Sequence, residues 1–191
     1  MNATIGGHAL KRSIVLVGLM GSGKSSIGKR LAQHLTMKFA DSDAKIEKTA
    51  GLSIRKIFEI HGELHFRTLE REIIANILNQ EHPIVLATGG GAYMDIETRK
   101  NIRNRCISIW LKAELEVLLK RVSKRSNRPL LNTENKQETL RNLIETRYPI
   151  YEEADITVHS ADVPKEETVA QALNALEQFL KLNINYHEAD K

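Results

Sequence analysis

Residues 13–26 read SIVLVGLMGSGKSS, and this stretch decides the fold. Ser13–Val17 is a continuous apolar run rich in β-branched residues, the pattern of a strand buried on both faces of a parallel sheet. The next eight residues, Gly18-Leu19-Met20-Gly21-Ser22-Gly23-Lys24-Ser25, satisfy G-x-x-x-x-G-K-[ST] in full. Glycines at these places let the backbone curl so that several N–H groups point at one anion. A helix that follows adds its positive N-terminal end. In such a loop Lys24 reaches the β- and γ-phosphates of a nucleotide, and the Ser25 hydroxyl ligates Mg²⁺. The expected helix is present in the pattern: Ile27, Leu31 and Leu35 recur four apart as one apolar stripe.

Working outward, Lys38–Ala40 reads as a short strand running into Asp41-Ser42-Asp43. Ala44–Thr49 is predicted helical and stopped by Gly51. Ser53 caps a helix carrying Ile54, Ile57 and Phe58, which Gly62 interrupts and which resumes with Phe66, Leu69, Ile73 and Ile77. Ile84–Ala87 is a second buried-strand run and ends abruptly in Thr88-Gly89-Gly90-Gly91. A helix over Glu97–Asn104, a strand over Cys106–Leu111 and an amphipathic helix over Leu115–Lys124 follow. Ser126–Glu138 loses all periodicity and reads as a loop or lid. Glu138–Arg147 is predicted helical and ended by Pro149. Asp155–Val158 reads as the last strand and Pro164–Leu182 as the last helix. Strands alternating with helices give a three-layer α/β fold around a mainly parallel five-stranded sheet. Ligands of such sheets bind beyond the carboxyl ends of the strands, where Gly18–Ser25, Asp41–Asp43 and Gly89–Gly91 all fall.

The chain has 191 residues, enough for one domain with its own core. The reading divides it into a mobile N-terminal tail (1–12), one nucleotide-binding domain (13–182) and a C-terminal tail (183–191). A hydrophobic fraction of 41% with 27% charged residues excludes global disorder. Cys106 is the single cysteine, so no internal disulfide and no cysteine-based zinc site can form, which favours a reducing compartment. No apolar run approaches the ~20 residues of a membrane span, and the first one leads into the glycine loop rather than a cleavage site. A cytoplasmic protein without a membrane partner is expected. The formal net charge of +4 leaves nucleic acid and small anions both open. Aromatic residues make up only 5% and do not interleave with basic ones, which counts against a single-strand nucleic-acid platform.

Several nucleotide-binding classes fail on particular residues. A GTPase needs N-K-x-D after a strand; Asn135-Lys136-Gln137-Glu138 is the nearest approach and lies in a polar stretch. No D-x-x-G occurs. A motor-type ATPase would end a strand in acidic residues, whereas Ile84–Thr88 ends in glycines, against whose bare backbone a substrate ring can lie. His61 and His65 are four apart, a spacing that can hold a metal on a helix, but no third ligand is suggested.

In order along the chain stand Gly18–Ser25, Asp41-Ser42-Asp43 with Ile46-Glu47, Ile57-Phe58, Gly62-Glu63, Phe66-Arg67 with Glu70, Thr88–Gly91, Arg128-Pro129-Leu130-Leu131, and Arg147 with Tyr151. Together these resemble the shikimate kinases, members of the nucleoside-monophosphate-kinase-like group of P-loop proteins. The likeness covers about Ser13 to Pro164. It implies transfer of the γ-phosphoryl group of Mg·ATP to the 3-hydroxyl of shikimate, a step of aromatic amino acid (chorismate) biosynthesis, in a monomer. A gluconate or nucleoside-monophosphate kinase is the alternative reading. A nucleotide-dependent nucleic-acid-binding module is a weaker one.

The resemblance also implies roles. ATP is held by Gly21, Ser22, Gly23, Lys24, Ser25 and Ser26, with Arg121 stacking on adenine beside an Ala161–Pro164 wall. Arg121 and Arg125, four apart, could also simply form a solvated basic face. Asp43 meets the reacting diol and can accept the hydroxyl proton. Arg67 and Arg147 supply two guanidinium forks for the acceptor's carboxylate, and Glu70, three residues on, can fix the direction of Arg67. Gly89, Gly90 and Gly91 contact the acceptor through their backbone. Arg128, in a lid over about 124–138, swings over the phosphates. Lys24, Asp43 and Arg128 are thus the expected catalytic set, with Mg²⁺ at Ser25 and, through water, at Asp41. The acceptor-binding helical segment is expected over about 43–75.

Overall fold

Alternate residues of the central strands belong to two different cores. In β3 (Ser13–Val17), Ile14 and Leu16 pack on one side of the sheet, and Val15 and Val17 on the other. The same alternation holds in β5 (Ile84–Ala87), where Val85 opposes Ile84 and Leu86. It recurs in β6 (Cys106–Lys112), where Ile107, Ile109 and Leu111 oppose Cys106 and Trp110. A strand with this pattern must be covered on both faces, and it is. The structure is a computed structural model that describes residues 4–123 and 135–189.

One face is covered by α1 (Lys24–His34) and α7 (Lys165–Ala189), through Ile27 and Leu31 with Leu35 just past the end of α1, and Val169, Ala172 and Leu176 on α7. The opposite face is covered by α2 (Ser42–Ala50), α3 (Ile54–Leu78), α4 (Ile96–Arg105), α5 (Leu115–Val122) and α6 (Lys136–Tyr151). The sheet is parallel in every pairing, with order β4-β5-β3-β6-β7, where β4 is Lys38–Asp41 and β7 is Ile156–His159. Chain order therefore reverses around β3. The loop after β3 and the loop after β5 emerge side by side at the carboxyl edge, the crevice where such sheets bind ligands. Among the described residues no helix is long and apolar enough to cross a membrane.

Three expectations need correction. Residues 1–12 are predicted to be a tail, yet Thr4–Ile5 (β1) and His8–Ala9 (β2) pair as an antiparallel hairpin. Ile5 packs against the core under α7 and Leu10 is buried, so apolar burial ties this segment down. Pro149 does not end α6, which continues to Tyr151. Proline removes one N–H near the helix end, and the packing of Tyr148 and Tyr151 against Trp110 outweighs that loss. The last helix passes Leu182 and runs to Ala189, into the segment assigned as a C-terminal tail.

Candidate active site

Lys24, the first residue of α1, folds back over the loop that precedes it. Its Nζ donates to the carbonyl oxygens of Gly18 (2.7 Å) and Leu19 (2.9 Å), and the side chain is buried. An ammonium so held sits over the loop concavity, where an incoming phosphate chain exchanges oxygen for oxygen. Gly18, Gly21 and Gly23 all carry positive φ, which shapes that concavity. Ser22 is fully buried and its backbone carbonyl accepts the Ser160 hydroxyl at 2.7 Å.

Asp41 divides its two carboxylate oxygens between two tasks. Oδ1 accepts the N–H groups of Asp43 (3.1 Å) and Ala44 (3.3 Å), capping α2. Oδ2 accepts the Ser25 hydroxyl at 2.5 Å. A hydroxyl and a carboxylate in contact are hard oxygen donors and fit Mg²⁺, which keeps most of its waters and shares its remaining ligands with phosphates. Among the described residues no group of three or more His, Cys, Asp or Glu could hold a metal.

Arg121 is no free surface cation. Its Nη1 donates to the Ser160 hydroxyl (2.9 Å) and the Gly21 carbonyl (3.2 Å), and its Nη2 to the Ala161 carbonyl (2.5 Å). It thereby staples the glycine loop to the segment after β7. Gly21, Lys24, Ser25, Arg121 and Ser160, with Asp41, Asp43, Thr88, Gly90, Asp162 and Lys165, line one cleft of about 420 Å³. Ser26 lies at the same wall. Arg128 and the core of the expected lid, residues 124–134, lie outside the described residues.

The acceptor side is assembled around the three glycines after β5. The Gly89 N–H donates to the buried Ser42 hydroxyl (2.9 Å), which joins this loop to α2. A Cβ on Gly89 would stand 2.5 Å from Glu70 Oε1 and 2.7 Å from Asp43 Oδ1. Only a bare backbone fits there, and the two carboxylates face each other across it. The Gly90 carbonyl accepts from Arg147 Nη1 (3.0 Å) and from the Tyr151 hydroxyl. A Cβ on Gly91 would press on the Arg67 guanidinium, 2.5 Å from Nη1. Arg67 and Arg147, far apart in sequence, thus meet at adjacent glycines, with Asp43 beside them.

Arg67 is positioned by its own helix. Nη1 donates to Glu70 Oε2 (2.7 Å), while Nε and Nη2 donate to Glu63 Oε1 (3.2 and 3.1 Å). Its Cζ lies 5.0 Å from the centre of the Phe66 ring, which in turn packs on Phe58 at 4.6 Å. Burial works against the Arg67 charge, but the Glu70 and Glu63 carboxylates hold its pKa above the ordinary arginine value. Burial raises the Glu70 pKa; Arg67 opposes that rise and Asp43 adds to it. Glu70 Oε1 is buried without a hydrogen-bond partner. Burial raises the Tyr151 pKa as well, so its hydroxyl stays a proton donor to Gly90.

The structure brings together Lys24, Ser25, Asp41, Asp43, Arg67, Gly89–Gly91, Arg121 and Arg147 at one edge of the sheet. Two supporting residues have no role in the sequence reading: Ser42, which holds Gly89, and Ser160, which holds the glycine loop. Ser160 immediately follows a strand, the position that marks binding residues in this fold class, and that signal was available. His61 and His65 form a ring pair at 4.9 Å on the exposed side of α3 and take no part in the cleft.

The family model described as shikimate kinase matches residues 20–177. The chain is 54% identical to the shikimate kinase of Nitrobacter winogradskyi over 169 residues, covering 88% of this chain and 78% of that protein. It is 45% identical to the shikimate kinase of Bartonella quintana over 175 residues, covering 92% and 83%. Among solved structures it is similar to the Acinetobacter baumannii shikimate kinase in complex with shikimate, with a TM-score of 0.83 and 38% identity over 86% of this chain and 92% of that one. A gluconokinase from Sinorhizobium meliloti shares the fold at a TM-score of 0.64 and 21% identity, covering 95% and 98%.

Proposed function

The chain belongs to the shikimate kinase family, and from that premise we propose how its own residues carry out phosphoryl transfer from ATP to shikimate. The convergence of Arg67 and Arg147 on adjacent glycines, with Asp43 beside them, carries the proposal. Two guanidinium groups at one spot suit a carboxylate-bearing acceptor, since each can donate paired hydrogen bonds. Asp43 is then the carboxylate facing the acceptor's hydroxyls. In the transfer, the acceptor oxygen forms the new bond to the γ-phosphorus as the bond to the β,γ-bridging oxygen breaks. The hydroxyl proton passes to Asp43.

Gly21, Ser22, Gly23, Ser25 and Ser26 hold the nucleotide through the loop and the start of α1, and Lys24 follows the charge onto the β- and γ-phosphates. Arg121 and the Ala161–Pro164 segment form the base wall. Ser25 and Asp41, the latter through water, would hold Mg²⁺, which neutralises phosphate charge when bound. Arg128, which lies outside the described residues, is assigned to the same phosphates. The acceptor segment is about 43–75 within a single kinase domain that also takes in the hairpin before residue 13 and the end of α7. We take the protein as a cytoplasmic monomer that binds neither nucleic acid nor membrane. Burial pushes the Cys106 thiol up to about 11, which keeps it in the unreactive thiol form.

The test is ADP release with shikimate, gluconate and nucleoside monophosphates as acceptors. Turnover is expected with shikimate alone. Arg67→Ala is expected to raise KM for shikimate about 30- to 100-fold and to leave ATP binding unchanged, the cost of truncating one partner of a charge-assisted pair. Equal turnover with and without shikimate would sink the reading.

A further inference from the structure

Glu63 has no assigned part in the reaction, and its placement gives it one. The Arg67 guanidinium has three usable edges. Nη1 is engaged by Glu70. The end between Nη1 and Nη2 faces Gly91, where an added Cβ would lie 2.5 Å from one nitrogen and 2.7 Å from the other. The remaining edge, Nε with Nη2, is the one geometry that still offers two parallel N–H groups to a carboxylate, and Glu63 Oε1 sits on it.

We propose that Glu63 is a built-in competitor for the acceptor's carboxylate: it occupies the Nε–Nη2 edge of Arg67 in the free enzyme and must swing out before shikimate can take both bonds. This rests on the reading of Arg67 as a carboxylate fork. The two glutamates on Arg67 are unlike. Glu70 has a side chain only 4% exposed and cannot leave, whereas Glu63 is 60% exposed and can reach water by changing rotamer. Gly62 makes this possible. Its backbone (φ 79, ψ 172) breaks α3, so Glu63 stands in the first turn of the resumed helix. An acidic side chain there is favoured by the helix dipole in either rotamer. The contact therefore holds Arg67 in the absence of acceptor and yields when a better-placed carboxylate arrives. The competition also selects: an acceptor without a carboxylate gains nothing from displacing Glu63 and finds the fork closed.

The experiment compares wild type, Glu63→Gln and Glu63→Ala, with shikimate and its methyl ester as ligands. Calorimetry gives the affinity and steady-state assays give KM and kcat. An exposed ion pair of this kind supports an effect of up to about fivefold. Both variants should bind shikimate up to about fivefold more tightly, with KM falling by more than kcat changes, and the ester should bind as it does to wild type. High salt should narrow the gap between wild type and variants, because it screens an exposed pair. Unchanged or weaker shikimate binding in both variants overturns the proposal and makes Glu63 a positioning residue for Arg67. So does an equal gain by the ester. If wild type itself does not phosphorylate shikimate, the functional reading fails along with it; if it does, only the competition fails.

Discussion

The two ends of the active cleft are built in opposite ways. The nucleotide end is one continuous segment, residues 18–26, hung from the end of a buried strand and closed on itself by Lys24 donating to Gly18 and Leu19. On the proposed reading it meets the nucleotide largely through backbone amides. The acceptor end has no such segment. It collects Asp43 from α2, Arg67 and Glu70 from α3, three glycines after β5 and Arg147 from α6, and side chains aim other side chains. Backbone amides recognise a phosphate on almost any nucleotide, whereas a set of aimed side chains recognises the charge and shape of one acceptor. The cleft therefore separates a generic half from a selective half, and the selective half depends on more distant parts of the chain.

The sharpest break of that separation would come from Lys24→Met. On the proposed role of Lys24 at the phosphates, kcat should fall by about 10²–10³-fold, the usual cost of one preorganised charge donor. Shikimate affinity measured without nucleotide should not move. A matching loss of shikimate affinity would mean that the two ends are not independent, since Lys24 would then be shaping the acceptor side through Gly18 and its neighbours.

The same contrast explains what could be read from the sequence. Ser13–Val17 and Ile84–Ala87 are legible because a strand buried on both faces leaves an unbroken apolar run. The glycine loop is legible because all its chemistry lies within eight residues. Arg67 with Glu70 is legible at helical spacing. Arg147 on Gly90 spans 57 residues and no local pattern announces it; only the resemblance to a family pointed there. Asp41 and Asp43 look equivalent in the sequence, and spacing cannot tell that one caps α2 and meets Ser25 while the other faces Glu70 across Gly89. Glu63 stands in the sequence as part of a motif with no task of its own, because which edge of an arginine is free is a property of packing. Pro149 misled for a similar reason: a local rule about proline was overridden by aromatic contacts of its neighbours.

A smaller effect tests whether the selective half can be disturbed alone. Gly62 occupies a backbone region that is close to glycine-only, and a Cβ there would meet nothing within 4 Å. Gly62→Ala therefore carries a pure backbone cost of about 1–3 kcal/mol, or about 2–4 °C in Tm per kcal/mol for a domain of this size. By pulling the break in α3 towards regular helix it should also move Glu63 and Arg67, raising KM for shikimate while ATP affinity stays at the wild-type value. Thermal melts and binding isotherms check both parts. Loss of ATP affinity would show that α3 supports the nucleotide end too.

The smallest expected effect concerns the charge that the selective half keeps out of water. Glu70 is 3% exposed, one of its oxygens is paired with Arg67, and the other has no hydrogen-bond partner. Burial, with Asp43 adding to it, raises its pKa above the ordinary value of 4.5 despite the pull of Arg67. A carboxyl whose pKa is higher folded than unfolded contributes stability that is fully present below the unfolded value. That contribution is lost as pH rises through the folded value. The stability difference between wild type and Glu70→Gln should therefore shift in favour of the variant as pH climbs from below 4.5 towards neutrality. Urea denaturation across that range reads it directly. The variant should also bind shikimate more weakly at every pH, because Arg67 loses its fixed partner. A flat stability difference would mean that Glu70 is held as comfortably as a solvated carboxylate. The acceptor end would then cost the fold no more in buried charge than the nucleotide end, whose ligand-facing groups are mostly neutral amides.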